Sequence, residues 1–259
     1  MDLGLRGKNA IVMASSKGLG FACANALARE GANVAINGRG EEAVKAAAAS
    51  IKKNHDVNVI EIVADLTTDN GREALLAAFS EPDILILNGG GPPPTPFGKT
   101  DEAAWEKTLH DTLTSPLLMV QGVLDGMRAR KFGRIVAITS AMVKTPHPVM
   151  VLSHAPRTGL TSVLKSISRE TVKDNVTINQ LLPERFETDR HRFLAQATAD
   201  AKGISLEEVN AAIKTGLAAG RLGQPEEFGD ACAYLCAAQS GYICGQNLML
   251  DGGNYRGQA

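Results

Sequence analysis

The chain has 259 residues, of which 44% are hydrophobic and 21% charged, an ordinary globular composition. A formal net charge of −1 leaves no basic excess to mark a nucleic-acid partner. No apolar run approaches the roughly 20 residues of a membrane span, and the opening MDLGLRGKNAIV lacks the regions of a secretory leader, so a cytoplasmic location is expected.

In chain order, Asn9–Ala14 (NAIVMA) is a short apolar run closed by Ser and Gly and reads as a buried strand. Gly18–Gly31 follows as a helix, with Gly31 placed to end it. Asn33–Asn37 is a second strand and Glu41–Asn54, with its alanine run, a second helix. Val57–Val63 and Asp69–Phe79 form the next strand and helix, and Asp83–Asn88 a fourth strand. One long helical region runs from about Thr100 to Arg130. Arg134–Ser140 is a fifth strand, followed by a helix carrying the stripe Leu160, Val163, Leu164 and Ile167. Val176–Leu182 is a sixth strand and Asn247–Asp251 a last one.

Alternating strands and helices, with strands that are continuous apolar runs, imply a Rossmann-type doubly wound parallel sheet. About seven strands with helices on both faces would make residues 1–259 a single α/β domain. Cys232 and Cys236, one helical turn apart, read as small apolar residues on a buried helix face, and no metal site is expected.

Ligands of such sheets bind beyond the carboxyl ends of the strands. Those ends are Ser15–Gly20, Gly38–Arg39, Asp65–Leu66, Asn88–Pro94, Ser140–Pro148 and Pro183–Asp189. In ASSKGLG (Ala14–Gly20), Ser15, Ser16, Lys17, Gly18, Leu19 and Gly20 form a turn at a helix N-terminus, a natural anion seat. An NAD site places an acid after the second strand, but here Gly38 and Arg39 stand there. Arg39 is either a surface turn residue or a partner for a 2′-phosphate, with Lys17 as a second cation. The missing acid favours NADP(H) over NAD(H).

The chain resembles the short-chain dehydrogenase/reductase family over nearly its whole length, in particular its 3-oxoacyl carrier-protein reductase-like branch. The resemblance rests on ASSKGLG, on NGGG (Asn88–Gly91), on ITS ending in Ser140, and on Arg221–Gly253. It implies hydride exchange between a nicotinamide and a small carbonyl or alcohol substrate. It also implies a homotetramer, with the C-terminal segment and two long helices at interfaces. The cofactor residues it implies include Asp65, Leu66, Asn88, Gly89, Gly90, Pro183 and Thr188, and it makes residues 184–217 a mobile substrate lid.

The family's tetrad is Asn, Ser, Tyr and Lys. Ser140 matches its serine, but Thr112, Ser153 and Arg157 stand at the other three positions, and Met13 and Ala14 stand where Thr and the first Gly are expected. A serine hydroxyl is a far weaker acid than a phenol, and Arg157 offers fixed charge without a proton relay. His154, His147 or Lys144 is a candidate replacement acid. If the helix begins at Ser153, that serine is an N-cap with Pro156 in the first turn; if it begins earlier, Pro156 lies inside it.

In the lid, Arg185, Arg190, His191 and Arg192 make a basic start, either solvated or set to meet an anionic substrate. The leading expectation is an atypical NADP(H)-dependent oxidoreductase. The alternatives are a non-catalytic dinucleotide-binding regulator and a hydrolase or lyase on the same fold.

Overall fold

The computed structural model describes residues 1–258. The strands are β1 (Asn9–Val12), β2 (Asn33–Gly38), β3 (Val59–Val63), β4 (Ile84–Leu87), β5 (Gly133–Ile138), β6 (Val176–Pro183) and β7 (Asn247–Leu250). They pair in parallel in the order β3-β2-β1-β4-β5-β6-β7. The order reverses between β1 and β4, which opens a crevice at their carboxyl ends.

The helices are α1 (Gly18–Arg29), α2 (Glu41–Asn54), α3 (Asp69–Leu76), α4 (Glu102–Leu109), α5 (Ser115–Ala129) and α6 (Val151–Thr171), then α7 (Asp189–Lys202), α8 (Leu206–Thr215) and α9 (Pro225–Cys236). Period-two alternation along the strands divides the core. Ala10, Val12, Val34 and Ile36 pack on α1, α2 and α9, while Ile11, Ala35, Leu85 and Ile135 pack on α5 and α6. Cys23, Cys232 and Cys236 are fully buried in the first of these cores, and burial helps push the Cys236 thiol upward.

One expectation holds with a refinement, one open alternative is decided and one needs correction. The long helical region runs unbroken from Glu102 to Ala129, with the π-turn His110–Thr114 between α4 and α5. Ser153 is not an N-cap, because α6 begins at Val151 with Met150 in the cap position. Its start is set by tertiary pairing: Thr95 bridges to Met150, and Thr95 N donates to Val149 O at 2.7 Å. Pro156 therefore lies inside α6, where it removes one ladder donor. Val163, expected in the apolar stripe, is exposed; Leu160, Thr161, Leu164 and Ser168 form the buried face.

Residues 184–217 form an excursion pinned at its base. Phe186 bridges to Gly223 and meets Phe228 edge-on at 5.3 Å between centroids. Above that base, Ala195, Ala199 and Val209 form a small core of their own.

Arg134 is fully buried without a carboxylate. Its guanidinium donates to the backbone oxygens of Gly133, Asn175, Ala237 and Ala238 and to Asn175 Oδ1, and it stacks on Phe132. It knits the start of β5 to the segments entering β6 and β7. Arg134→Met orphans several buried acceptors at once. The expected loss is on the order of 3 kcal/mol in urea unfolding with an unchanged denaturant slope. A loss below about 1 kcal/mol would show that water replaces the guanidinium.

Candidate active site

The first strand end is built around a close approach. Ala14 O accepts from Asn88 Nδ2 at 3.0 Å, which ties β1 to β4 across the crevice. A Cβ on Gly20 would stand 2.5 Å from Ala14 O and 2.6 Å from that same amide nitrogen, so only glycine lets α1 start this close. Ala14 itself has φ +46°, a left-handed conformation that glycine adopts without strain. Ser15 is fully buried, its hydroxyl donating to Val12 O and accepting from Asn37 N. It shapes the loop from beneath, and its side chain does not face the crevice. Ser16, Lys17, Gly18 and Leu19 remain at least partly open around the start of α1.

Beside this cradle the end of β2 is narrow. A Cβ on Gly38 would meet Ser16 Oγ at 2.7 Å. Asn37 is not available to a ligand: its amide donates to Ile62 O and Ala64 O and closes β2 onto β3. Arg39 is exposed and has no carboxylate partner among the described residues. The Thr67 N–H, assisted by the Thr67 hydroxyl and the Arg39 and Lys107 charges, holds the Asp65 carboxyl below its ordinary range. Leu66 contributes its carbonyl oxygen inward, to Ser115 Oγ and Arg72. Lys17, Gly38 and Arg39 leave this corner cationic, with Asp65 turned toward Thr67.

Across the switch point lies a second cleft lined by Asn88, Gly89, Gly90, Thr112, Ile138 and Arg157 among others. Thr112 reaches it from the π-turn, a local widening of the helix that is often found at functional sites. Arg157 Nη1 donates to both Ser153 O (3.0 Å) and Ser153 Oγ (2.7 Å). Burial first, and then the nearby Arg190 charge, pull the Arg157 guanidinium down to about 10, so it stays cationic at neutral pH.

Ser140 lies two residues beyond Ile138 in extended backbone, and its Oγ accepts from Met142 N at 3.2 Å. That contact uses a lone pair and leaves the hydroxyl proton free to donate. Ser153 and His154 occupy the first turns of α6 and, like Ser140, do not themselves line the cleft. The His154 ring makes no hydrogen bond among the described residues, whereas His147 Nδ1 accepts from Val149 N and Lys144 stacks on Tyr255. Pro183 ends β6, and Thr188 caps α7 by accepting from His191 N.

The basic residues around the start of α7 separate into different roles. His191 is buried against Asn210, and burial lowers its pKa, so it joins α7 to α8 as a neutral ring. Arg192 pairs with Asp189. Arg190 reaches toward the cleft, its Nη2 donating to Pro92 O at 2.8 Å. Sequence reasoning singled out the cluster but had no means of sorting it.

A doubly wound sheet with a glycine-lined anion cradle at its switch point defines a dinucleotide-binding protein of the Rossmann class. The profile of the family described as Enoyl-(Acyl carrier protein) reductase matches residues 13–254. The 3-oxoacyl-[acyl-carrier-protein] reductase FabG of Aquifex aeolicus (strain VF5) is 30% identical over 262 residues, covering 98% of this chain and 100% of that protein. The uncharacterized oxidoreductase YvaG of Bacillus subtilis (strain 168) is 30% identical over 261 residues, 99% of each. Among solved structures, the L-sorbose reductase of Gluconobacter frateurii, complexed with NADPH and L-sorbose, matches with a TM-score of 0.94 at 26% identity. That match covers 99% of this chain and 100% of that one. YwfH, an NADPH-dependent reductase involved in bacilysin biosynthesis, matches with a TM-score of 0.92 at 25% identity, covering 97% and 99%. The chain belongs to the short-chain dehydrogenase/reductase family of oxidoreductases and is 3-oxoacyl-[acyl-carrier-protein] reductase-like. No helix among the described residues is long and apolar enough to cross a membrane.

Ala14→Gly relieves the left-handed strain. It is expected to raise unfolding stability by about 1 kcal/mol and leave the Asn88 contact intact. Gly20→Ala forces its new methyl against backbone and is expected to weaken nucleotide binding more than tenfold, read by calorimetry. Unchanged binding in Gly20→Ala would show that the close approach is not needed.

Proposed function

We propose that the protein is an NADP(H)-dependent oxidoreductase that moves a hydride between nicotinamide and a small carbonyl or alcohol. The observation that carries the reading is the 2.7 Å hydrogen bond from Arg157 to Ser153 Oγ. It joins a cation and a hydroxyl at the two positions where the resemblance expects lysine and tyrosine. The NADPH-linked names of the solved relatives support the choice of cofactor.

The residues fit such a cofactor. A Cβ on Gly18 would meet no protein atom within 4 Å, so the start of α1 is open to a close approach, while Gly20 and Gly38 let the loop itself pack tightly beneath it. Ser16, Lys17, Gly18 and Leu19 hold the pyrophosphate at the start of α1, with Ser15 shaping the loop. Arg39 and Lys17 take the 2′-phosphate, Asp65 and Leu66 flank the adenine, and Asn88, Gly89, Gly90, Pro183 and Thr188 carry the nicotinamide half. Bound there, the cofactor supplies or accepts a hydride.

Ser140 donates its free hydroxyl proton to the carbonyl oxygen as a hydrogen bond. Arg157, fixed by Ser153, stabilises the negative charge that grows there. Arg157 also polarises the Ser153 hydroxyl, but that hydroxyl remains a weak acid, and His154, one residue on, is the candidate source of the proton. Thr112 stands at the relay position. Residues 184–217 serve as the substrate lid, and the assembly is a homotetramer.

One observation favours a second reading, a non-catalytic dinucleotide-binding regulator. Ser153 is buried, and neither it nor His154 lines the cleft.

Calorimetric titration with NADPH and NADH, followed by NADPH consumption at 340 nm over a panel of carbonyls, separates the two. The proposal expects micromolar NADPH binding, a preference over NADH that falls about tenfold in Arg39→Ala, and turnover that drops roughly a hundredfold in Ser140→Ala. Tight NADPH binding with no carbonyl consuming it would establish the regulator. No binding of either nucleotide would overturn both.

A further inference from the structure

Arg157 and Arg190 approach one point from opposite elements, α6 and α7. An atom placed at a Cβ of Gly91 would lie 3.4 Å from Arg157 Nη2 and 4.0 Å from Arg190 Nη2. The two guanidinium tips thus flank Gly91, and the Arg190 charge adds to the cost of charging the buried Arg157. Neither is ion-paired among the described residues. Asp111, which lines the same cleft, is taken by Lys107 at 2.5 Å.

Both arginines are held in place. Arg157 spends Nη1 on Ser153, which leaves Nη2 directed at Gly91. Arg190 is fixed by Pro92 O, with Phe193 beneath its guanidinium at 6.0 Å. A protein that anchors two like charges side by side, and supplies no carboxylate of its own, has built a seat for an oxyanion.

The pyrophosphate of a cofactor has its own seat at the start of α1, on the other side of the β1/β4 switch. The arginine pair stands on the β4–α6 side, where the cleft holds Asn88, Thr112 and Ile138. We infer that Arg157 and Arg190 clamp a carboxylate on the substrate, so that the carbonyl or alcohol acted on belongs to an oxo acid or hydroxy acid. This inference rests on the oxidoreductase reading for the identity of the ligand, while the seat itself rests on the two arginines. Because Arg190 belongs to α7 and Pro92 to the proline-rich loop, the clamp also joins the lid to the opposite wall of the cleft.

The test is calorimetric titration with 4-phenyl-2-oxobutanoate and with its methyl ester, on the protein alone and on the protein saturated with NADPH. The expected result is that the acid binds at least tenfold more tightly than the ester in the presence of NADPH. Arg190→Gln removes that difference, Arg190→Lys restores part of it, and the NADPH affinity stays within about twofold throughout. Equal binding of acid and ester, or a difference that survives Arg190→Gln, overturns the inference. Displacement of NADPH by the acid also overturns it and assigns the pair to the cofactor's phosphates. If the protein binds no NADPH, the functional reading fails, and the acid–ester comparison on the protein alone still decides whether the seat exists.

Discussion

The hydrogen bond from Asn88 Nδ2 to Ala14 O is the contact on which the rest of the site depends. A parallel sheet that reverses its strand order leaves a gap between the two central strands, and nothing in the ladder closes it beyond their last paired residues. One side-chain amide spans that gap. It fixes the turn that leads into α1 on one side and the Asn88–Gly90 corner on the other. Gly20 is the condition for it, since any side chain there would occupy the space of the amide and of Ala14 O. With the β1–β4 ladder, this contact holds the two sides of the crevice in register.

That register explains why an unusual set of side chains at the proposed site is compatible with an ordinary scaffold. Arg157 is longer than a lysine and cannot lose its charge at neutral pH. Its fork reaches Ser153 with one nitrogen and Gly91 with the other. It therefore brings α6 against the loop that follows β4. The electrostatic consequence is a cleft with positive charge on its walls and an acid, Asp111, neutralised by its neighbour Lys107. On the proposed reading, stabilisation of an oxyanion by fixed charge and hydroxyl donors stands in for the phenol.

Much of the architecture was legible in the sequence, and for a definite reason. Strands buried on both faces carry unbroken apolar runs, so NAIVMA and DILILN announce themselves, and alternation with helices leaves few topologies open. The cradle was legible too, because Gly18 and Gly20 stand at the join of the first strand and helix. The π-turn around Thr112 was not, since an inserted residue in a helix leaves no compositional trace. The start of α6 stayed open between two alternatives because the tie that sets it, Thr95 to Met150, spans 55 residues in sequence and is purely backbone. The neutrality of His191 and the meeting of Arg157 with Arg190 depend on burial and on lid placement, which no local pattern encodes.

The central claim is that this site transfers a hydride although the expected acid has been replaced. The most direct measurement follows deuterium from NADPH deuterated at C4 of the nicotinamide into the alcohol formed from a carbonyl substrate, by mass spectrometry, in wild type and Ser140→Ala. The account predicts one deuterium per product molecule, from one face of the nicotinamide only, and its near disappearance in the variant. Product free of deuterium, or no product from any carbonyl that the protein binds, would contradict it.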